Sequence, residues 1–326
     1  MRAFAEWENQ NALLVSLPHE DSDWAPYLGE ISSAYTHFIR AVAQFQPVVA
    51  IAPRKEIFEK ICGEIDEKFA VNFVQIPTND TWIRDYGAID VENEGKVEAL
   101  NFTFNAWGGK FASEKDNALN ATLYEIWGKA LRNVDLILEG GSVEFNGAGV
   151  LMTTEECLLN DNRNALSKEI LEQKLGEIFG LKKIIWLKGG FIQGDDTDCH
   201  IDTLARFAGE NLVAVASCDD SNDTHYPALR SLKEQILAHG FEVIELPLPA
   251  PIFYENRRLG ATYANFVFVN GGLIVPTYGD KNDEIALSRL ANACPGRKVV
   301  GVDARVFIRQ NGSLHCSCMN KFSDKI

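Results

Sequence analysis

The chain has 326 residues, 46% of them hydrophobic, enough to bury a large core. A formal net charge of −15 disfavours nucleic acid as a partner, because phosphate contacts need clustered Lys and Arg, and suits a cationic ligand better. No basic-then-apolar leader opens the sequence, and no run reaches the ~18 to 20 apolar residues of a membrane helix. A soluble cytoplasmic protein with no membrane partner is therefore expected, its seven scattered cysteines reduced.

In chain order, "ALLVSLP" (12–18) reads as a strand. A helix near 24–45, the strand "PVVAIAP", a helix near 54–69 and the strand "VNFVQIP" follow. Four stretches then share one shape, two apolar strands broken at Gly, Asn or Glu. They are "IRDYGAIDVENEGKVEALNF", "GSVEFNGAGVLMTT", "HIDTLARFAGENLVAVAS" and "YANFVFVNGGLIVPTY", and each carries a hairpin signal. Behind each lies a helix with apolar spacing of three and four, near 114–132, 164–179, 226–239 and 282–293. A short strand closes each unit: "VDLILEGG", "KKIIWLKGG", "FEVIELPLP" and "KVVGVDA". "SLHCSCM" (313–319) reads as the first strand of a fifth hairpin, completed by "ALLVSLP" from the start of the chain. A unit recurring every ~55 to 65 residues and closing end to start predicts a ring of βαβ-type modules in a single domain, 1–326. An open α/β sheet is the alternative.

Polar clusters fall at one phase of the repeat, where the chain enters each hairpin: "NDTWIRDYG", "LEGGS", "GDDTDCHID" and "GSLHC". In a ring these junctions face a common centre. Strand alternation predicts that His200 and Asp202 share a face, with Cys199 turned away. It likewise puts Leu314, Cys316 and Cys318 on one face and His315 on the other. That disfavours zinc, since His315 and Cys316 would diverge and no second ligand pair completes a tetrahedral site. A Cys-x-Cys pair is also a poor redox match. Cys316 is left as either a buried inert thiol or a nucleophile served by a distant histidine, with His200 the candidate. Asp85 and Glu139 read as turn-capping acids, or as members of an acidic cluster that holds a flat guanidinium.

With these motifs in hand, the chain resembles the agmatine deiminases. They belong to a guanidino-modifying superfamily that includes arginine deiminases and Porphyromonas-type peptidyl-arginine deiminases. "FAEWENQNALLVSLPHEDSDW", "WIRDYG", "LEGGS", "TDCHIDTLARF", "YANFVFVNGGLIVPTYGD" and "GSLHC" occur in that family's order across nearly the whole chain. The resemblance implies a five-bladed pseudosymmetric α/β-propeller, the pentein fold, built of ββαβ modules. It implies hydrolysis of agmatine to N-carbamoylputrescine and ammonia through a covalent intermediate on Cys316, as a step of putrescine biosynthesis. His200 would be the proton donor and acceptor, Asp85 and Asp202 the guanidinium clamp, and Glu139 the support of His200. Trp82 and Trp107 would be walls along the substrate's alkyl chain. No metal and no cofactor is implied, and a homo-oligomer is expected on the resemblance alone. Arginine or peptidyl-arginine as substrate is the alternative; a propeller that only binds is a further one. The chain departs from the family at Cys199, where Gly is frequent, at Leu17, where Trp is frequent, and in "SCMN" after the cysteine, in place of a Gln-containing run. These departures bear on the substrate's far end. Arg84, Arg163, Arg206, Arg257 and Arg258 all lie near motifs without discriminating agmatine from arginine.

Overall fold

The structure is a computed structural model and describes residues 1–322. Five of its sheets repeat one plan, an antiparallel pair extended by a parallel strand. Ile89–Asn93 pairs with Lys96–Thr103, which lies parallel to Arg132–Ile137. Glu144–Phe145, Val150–Thr154 and Lys183–Leu187 repeat the order. So do Ala205–Gly209, Leu212–Ser217 and Glu242–Pro247, and then Val267–Val269, Gly272–Thr277 and Lys298–Asp303. The fifth sheet joins the ends of the chain: Cys318–Lys321 runs antiparallel to Ala12–Ser16, with Cys318 opposite Val15 and Lys321 opposite Ala12. Val48–Ala52 and Val71–Gln75 extend it in parallel. The expected five-bladed α/β propeller is the observed one.

Each parallel step needs a crossover, which the helices Leu28–Ala43, Lys55–Cys62, Glu114–Trp127, Lys168–Phe179, His225–Ala238 and Asn282–Ala293 supply. Middle strands read as unbroken apolar runs because both of their faces are covered; Leu13, Val15, Val213, Val215, Leu273 and Val275 are fully buried. Four helices are shorter than their periodicity predicts; Leu28–Ala43 and Lys168–Phe179 lose residues chiefly at their starts, and the other two stop early at a glycine. Glu114–Trp127 stops before 132 because Gly128 turns left-handed at φ 62°, and Lys55–Cys62 stops before 69 at Gly63. None of the helices among the described residues is long and apolar enough to cross a membrane.

The entry to each blade differs from the strands expected there. Ile83–Tyr86 and Ile201–Leu204 are single helical turns, and Gly140–Ser142 is a 3-10 turn. Residues 314–317 form a turn, so that the strand begins only at Cys318. A short hydroxyl side chain closes three of these turns on its own backbone. Ser142 donates to the Glu139 carbonyl (2.6 Å), Thr203 to that of His200 (2.9 Å) and Ser317 to that of Ser313 (2.8 Å). Such local bonding competes with the ladder and explains why alternation fails here.

Arg206 links the blades. It is fully buried and donates to Glu144 (2.7 Å), to Glu6 (2.7 Å) and to the Phe266 carbonyl (2.6 Å). Arg206→Ala leaves the buried Glu144 carboxylate without its cation and takes one of several partners from Glu6, and a loss of ~3 to 5 kcal/mol is expected in urea unfolding. A loss under ~1 kcal/mol would show that these ion pairs do not hold the blades together.

Candidate active site

The blade-entry turns converge. Cys316 Sγ lies 3.5 Å from Asp202 Oδ2 and receives a hydrogen bond from Asn265 Nδ2 at 3.2 Å. His200 Nδ1 stands 3.6 Å from Asp85 Oδ1. Gly141 shows how tightly the group closes. A methyl at its Cα would sit 2.7 Å from His200 Nδ1, 2.8 Å from Asp85 Oδ1 and 3.2 Å from Asp202 Oδ2. Only glycine lets those three atoms border one space, while its own N–H donates to Asp85 Oδ1 at 2.9 Å. Gly141→Ala is therefore expected to lower turnover by about 100-fold or more, with the chain still folded, because displacements of 1 Å at a reacting centre act at that scale. Activity within threefold of the parent would show that this space is not used.

Glu139 is bound by Arg163 at 2.8 Å, and Arg163 is itself tied to Asp198 (2.6 Å). A nitrogen of His200, an oxygen of Glu139 and the sulfur of Cys157 lie within 4.8 Å of one another. Arg163 already places a positive charge on Glu139, so this trio is a poor cation site. Three buried atoms of the cluster have no hydrogen-bond partner: Asp202 Oδ1, His200 Nε2 and Glu139 Oε2. Unsatisfied buried polar atoms are costly and mark places where a ligand supplies the missing partner.

The electrostatics follow from burial and like charge. Burial, then Asp202 and Glu139, push the Asp85 carboxyl well above the usual range. Burial, then the charges of Asp202 and Asp85, raise the Cys316 thiol well above the usual cysteine range. Burial holds His200 down to about 4, so the ring is neutral near pH 7. Asp202 behaves differently: although burial opposes ionisation, the bond from His315 keeps its carboxyl low.

Above the cluster opens a pocket of about 500 Å³. Trp82, Trp107, Phe111, Asp85, Thr203 and Cys316 line it. Trp82 keeps its place because Gly312 carries no side chain; a Cβ there would meet the indole at 2.3 Å. Trp107, in a left-handed conformation at φ 55°, also donates Nε1–H to Asp85 Oδ2 at 2.9 Å. Asp23, Asp80, Asp195 and Asp196 line the pocket too, and no Arg or Lys does among the described residues.

The structure thus brings together Cys316, His200, Asp85, Asp202, Glu139, Trp82 and Trp107. His315 is a correction: because 314–317 turns instead of running straight, His315 and Cys316 both reach Asp202. Sequence reasoning also missed Asn265, the holder of the sulfur, and Cys157, which no local motif marks. Arg84, Arg163 and Arg206 are all consumed by buried partners, and Arg258 by Asp223 at 2.7 Å.

Five repeated blades with a cysteine and several acids lining one pocket, and a buried histidine beside one of those acids, define a guanidino-modifying enzyme of the pentein fold. The sequence profile of the Porphyromonas-type peptidyl-arginine deiminases matches residues 2–321, and the chain belongs to that family. It is 56% identical to a substrate-bound agmatine deiminase of C. jejuni, crystallised as a Cys-to-Ser variant, with a TM-score of 0.96 over 99% of this chain and 96% of that one. A structure described as a putative arginine deiminase of Porphyromonas gingivalis is 35% identical, with a TM-score of 0.91 over 97% of each chain. A putative agmatine deiminase of a Marinomonas species is 35% identical over 96% of this chain and 92% of its own.

Proposed function

We propose that the protein hydrolyses agmatine to N-carbamoylputrescine and ammonia, with Cys316 as nucleophile. The observation that carries this reading is the set of buried, partnerless atoms in the cluster, Asp202 Oδ1 and His200 Nε2 above all. A guanidinium offers several N–H donors in one plane and a positive charge, which is what two acids at this site lack.

In this reading Asp85 and Asp202 clamp the cation and place its carbon against Cys316 Sγ. The cation's charge offsets the acids that hold the thiol proton on. The thiol proton passes to neutral His200, and the thiolate attacks. The C–S bond forms, His200 returns its proton to the departing nitrogen, and ammonia leaves an amidino-thioether on Cys316. His200 then takes a proton from water. The hydroxide adds to the carbon, the C–S bond breaks, His200 gives its proton back to the departing Cys316 sulfur, and the hydroxyl proton passes to solvent, where it converts the released ammonia to ammonium, as the ureido product forms. Held in register by the clamp, the addition gains up to roughly 7 to 11 kcal/mol over free reactants.

This scheme makes an expectation for the empty enzyme. With its thiol raised by burial and by Asp202 and Asp85, Cys316 is mostly protonated near neutrality. Its alkylation by neutral iodoacetamide should be slow at pH 7 and accelerate continuously toward pH 10. A rate already at its plateau by pH 7 would mean a preformed thiolate.

The pocket mouth favours agmatine over arginine. Burial raises Asp80 and Asp195 to about 6, so both are largely ionised at pH 7.5. Together with Asp23 and Asp196 they suit the second cation of agmatine and repel an α-carboxylate. Ammonia release from agmatine, arginine and an arginyl peptide, measured side by side, tests this. A kcat/KM for agmatine at least about 100-fold above that for arginine is expected; arginine as the better substrate would overturn it. The C. jejuni relative, substrate-bound with a cysteine replaced, supports a cysteine in the chemistry.

A further inference from the structure

Glu6 and His315 have no part in the chemistry above and do not line the pocket, yet His315 is buried behind it and the Glu6 side chain is only 10% exposed. His315 Nδ1 lies 2.7 Å from Asp202 Oδ2, and His315 Nε2 lies 2.7 Å from Glu6 Oε2. Ionised carboxylates only accept, so the His315 ring meets an acceptor at each of its two nitrogens. Glu6 is gripped in turn. Arg206 stands 2.7 Å from its Oε2 and Arg84 3.7 Å, while the Phe268 N–H donates to its Oε1 at 2.8 Å. Burial opposes that charge, but Arg206 and His315 hold the Glu6 carboxyl well below the usual range. The charged groups facing the His315 ring are thus Glu6 and Asp202; Arg84 donates to the His315 carbonyl at 3.3 Å, and Arg206 and Glu144 stand one contact further out.

The effect is to make the two acids of the clamp unequal. Asp85 accepts from two neutral donors, the Trp107 indole and the Gly141 amide. Asp202 is bound by the His315 ring, and only through Oδ2, which also stands 3.5 Å from the sulfur. Its Oδ1 is left buried with no donor. A carboxylate fixed at one oxygen by a charge-assisted bond cannot swing to exchange its two oxygens.

We infer that Glu6 and His315 are positioning residues of the guanidinium clamp: they hold Asp202 so that Oδ1 faces the bound cation while Oδ2 stands beside Cys316. This rests on the guanidino reading above. The segment around Glu6 thereby acts on a site to which it contributes no contact with substrate. If the relay were only a staple between the start of the chain and the turn at 314–317, its loss would lower stability and leave capture of the cation unchanged.

The test compares Glu6→Gln and His315→Gln in the full chain, by KM and kcat for ammonia release and by melting temperature. Calorimetric binding of agmatine and of free guanidinium ion is measured on the same variants carrying Cys316→Ala. The expected result is a roughly 10- to 100-fold rise in KM and in the dissociation constant, with a smaller change in kcat and a folded protein. Unchanged affinity in both variants, or a lowered melting temperature with affinity intact, would overturn the inference. If the parent enzyme neither binds nor turns over agmatine, the substrate reading fails first, and the guanidinium-ion comparison still decides the relay. Should His315→Gln not fold, Glu6→Gln, which keeps its shape and removes only its charge, carries the comparison.

Discussion

Cys316→Ala is expected to lower ammonia release from agmatine by at least about a thousandfold while leaving the protein folded. The chemical loss is total in principle, because no other thiol is placed to replace it. Cys318 lies in the strand that closes the ring and is pushed up to about 12 by burial. Cys157 lies against Glu139 and His200 and is raised well above the usual cysteine range by burial, then by Glu139. The structural loss is small. Removing one sulfur costs on the order of 1 kcal/mol, and the turn that carries residue 316 is held by other bonds. His315 N–H donates to Asn265 Oδ1 at 2.9 Å, and Ser317 bonds back to Ser313. Residual turnover within tenfold of the parent would remove Cys316 from the mechanism.

The second large effect belongs to the clamp. Asp202→Asn keeps the shape of the side chain and removes its charge. It should weaken agmatine binding by roughly 100- to 1000-fold, since losing one partner of a buried charge pair costs about 2 to 5 kcal/mol. Asp85→Asn should act in the same direction and less strongly. Asp85 is held high by burial and by its acidic neighbours, so part of the binding energy there goes into removing its proton. The same substitution at Asp202 should also disturb His315, whose Nδ1–H then faces a neutral amide. Calorimetry on the Cys316→Ala background reads both effects without interference from turnover. Equal affinity for the parent and for Asp202→Asn would end the clamp assignment.

Much of this was legible in the sequence because the repeat is a repeat of physics. Apolar runs such as "LIVPT" and "LVAVAS" can only be covered strands, and crossover helices must separate parallel strands. The closure of "SLHCSCM" onto "ALLVSLP" followed from the missing partner strand at each end of the chain. What alternation could not give was the conformation at the blade entries. Ser142, Thr203 and Ser317 bond to their own backbones there, and a two-residue period does not apply to a turn. For that reason His315 was placed on the wrong face, and its bond to Asp202 was invisible. Asn265 was hidden differently, inside a strand-like run whose apolar neighbours gave it no mark. The arginines near motifs left the substrate undecided, and the burial of Arg84, Arg163 and Arg206 against acids is a three-dimensional fact that only coordinates supply.

Mass spectrometry of an acid-quenched reaction with agmatine reads the central claim directly. An amidino adduct on Cys316, absent from Cys318 and lost when the enzyme is left to turn over, is the outcome this account requires. Full catalytic activity with unmodified sulfur at 316 throughout the reaction would contradict it.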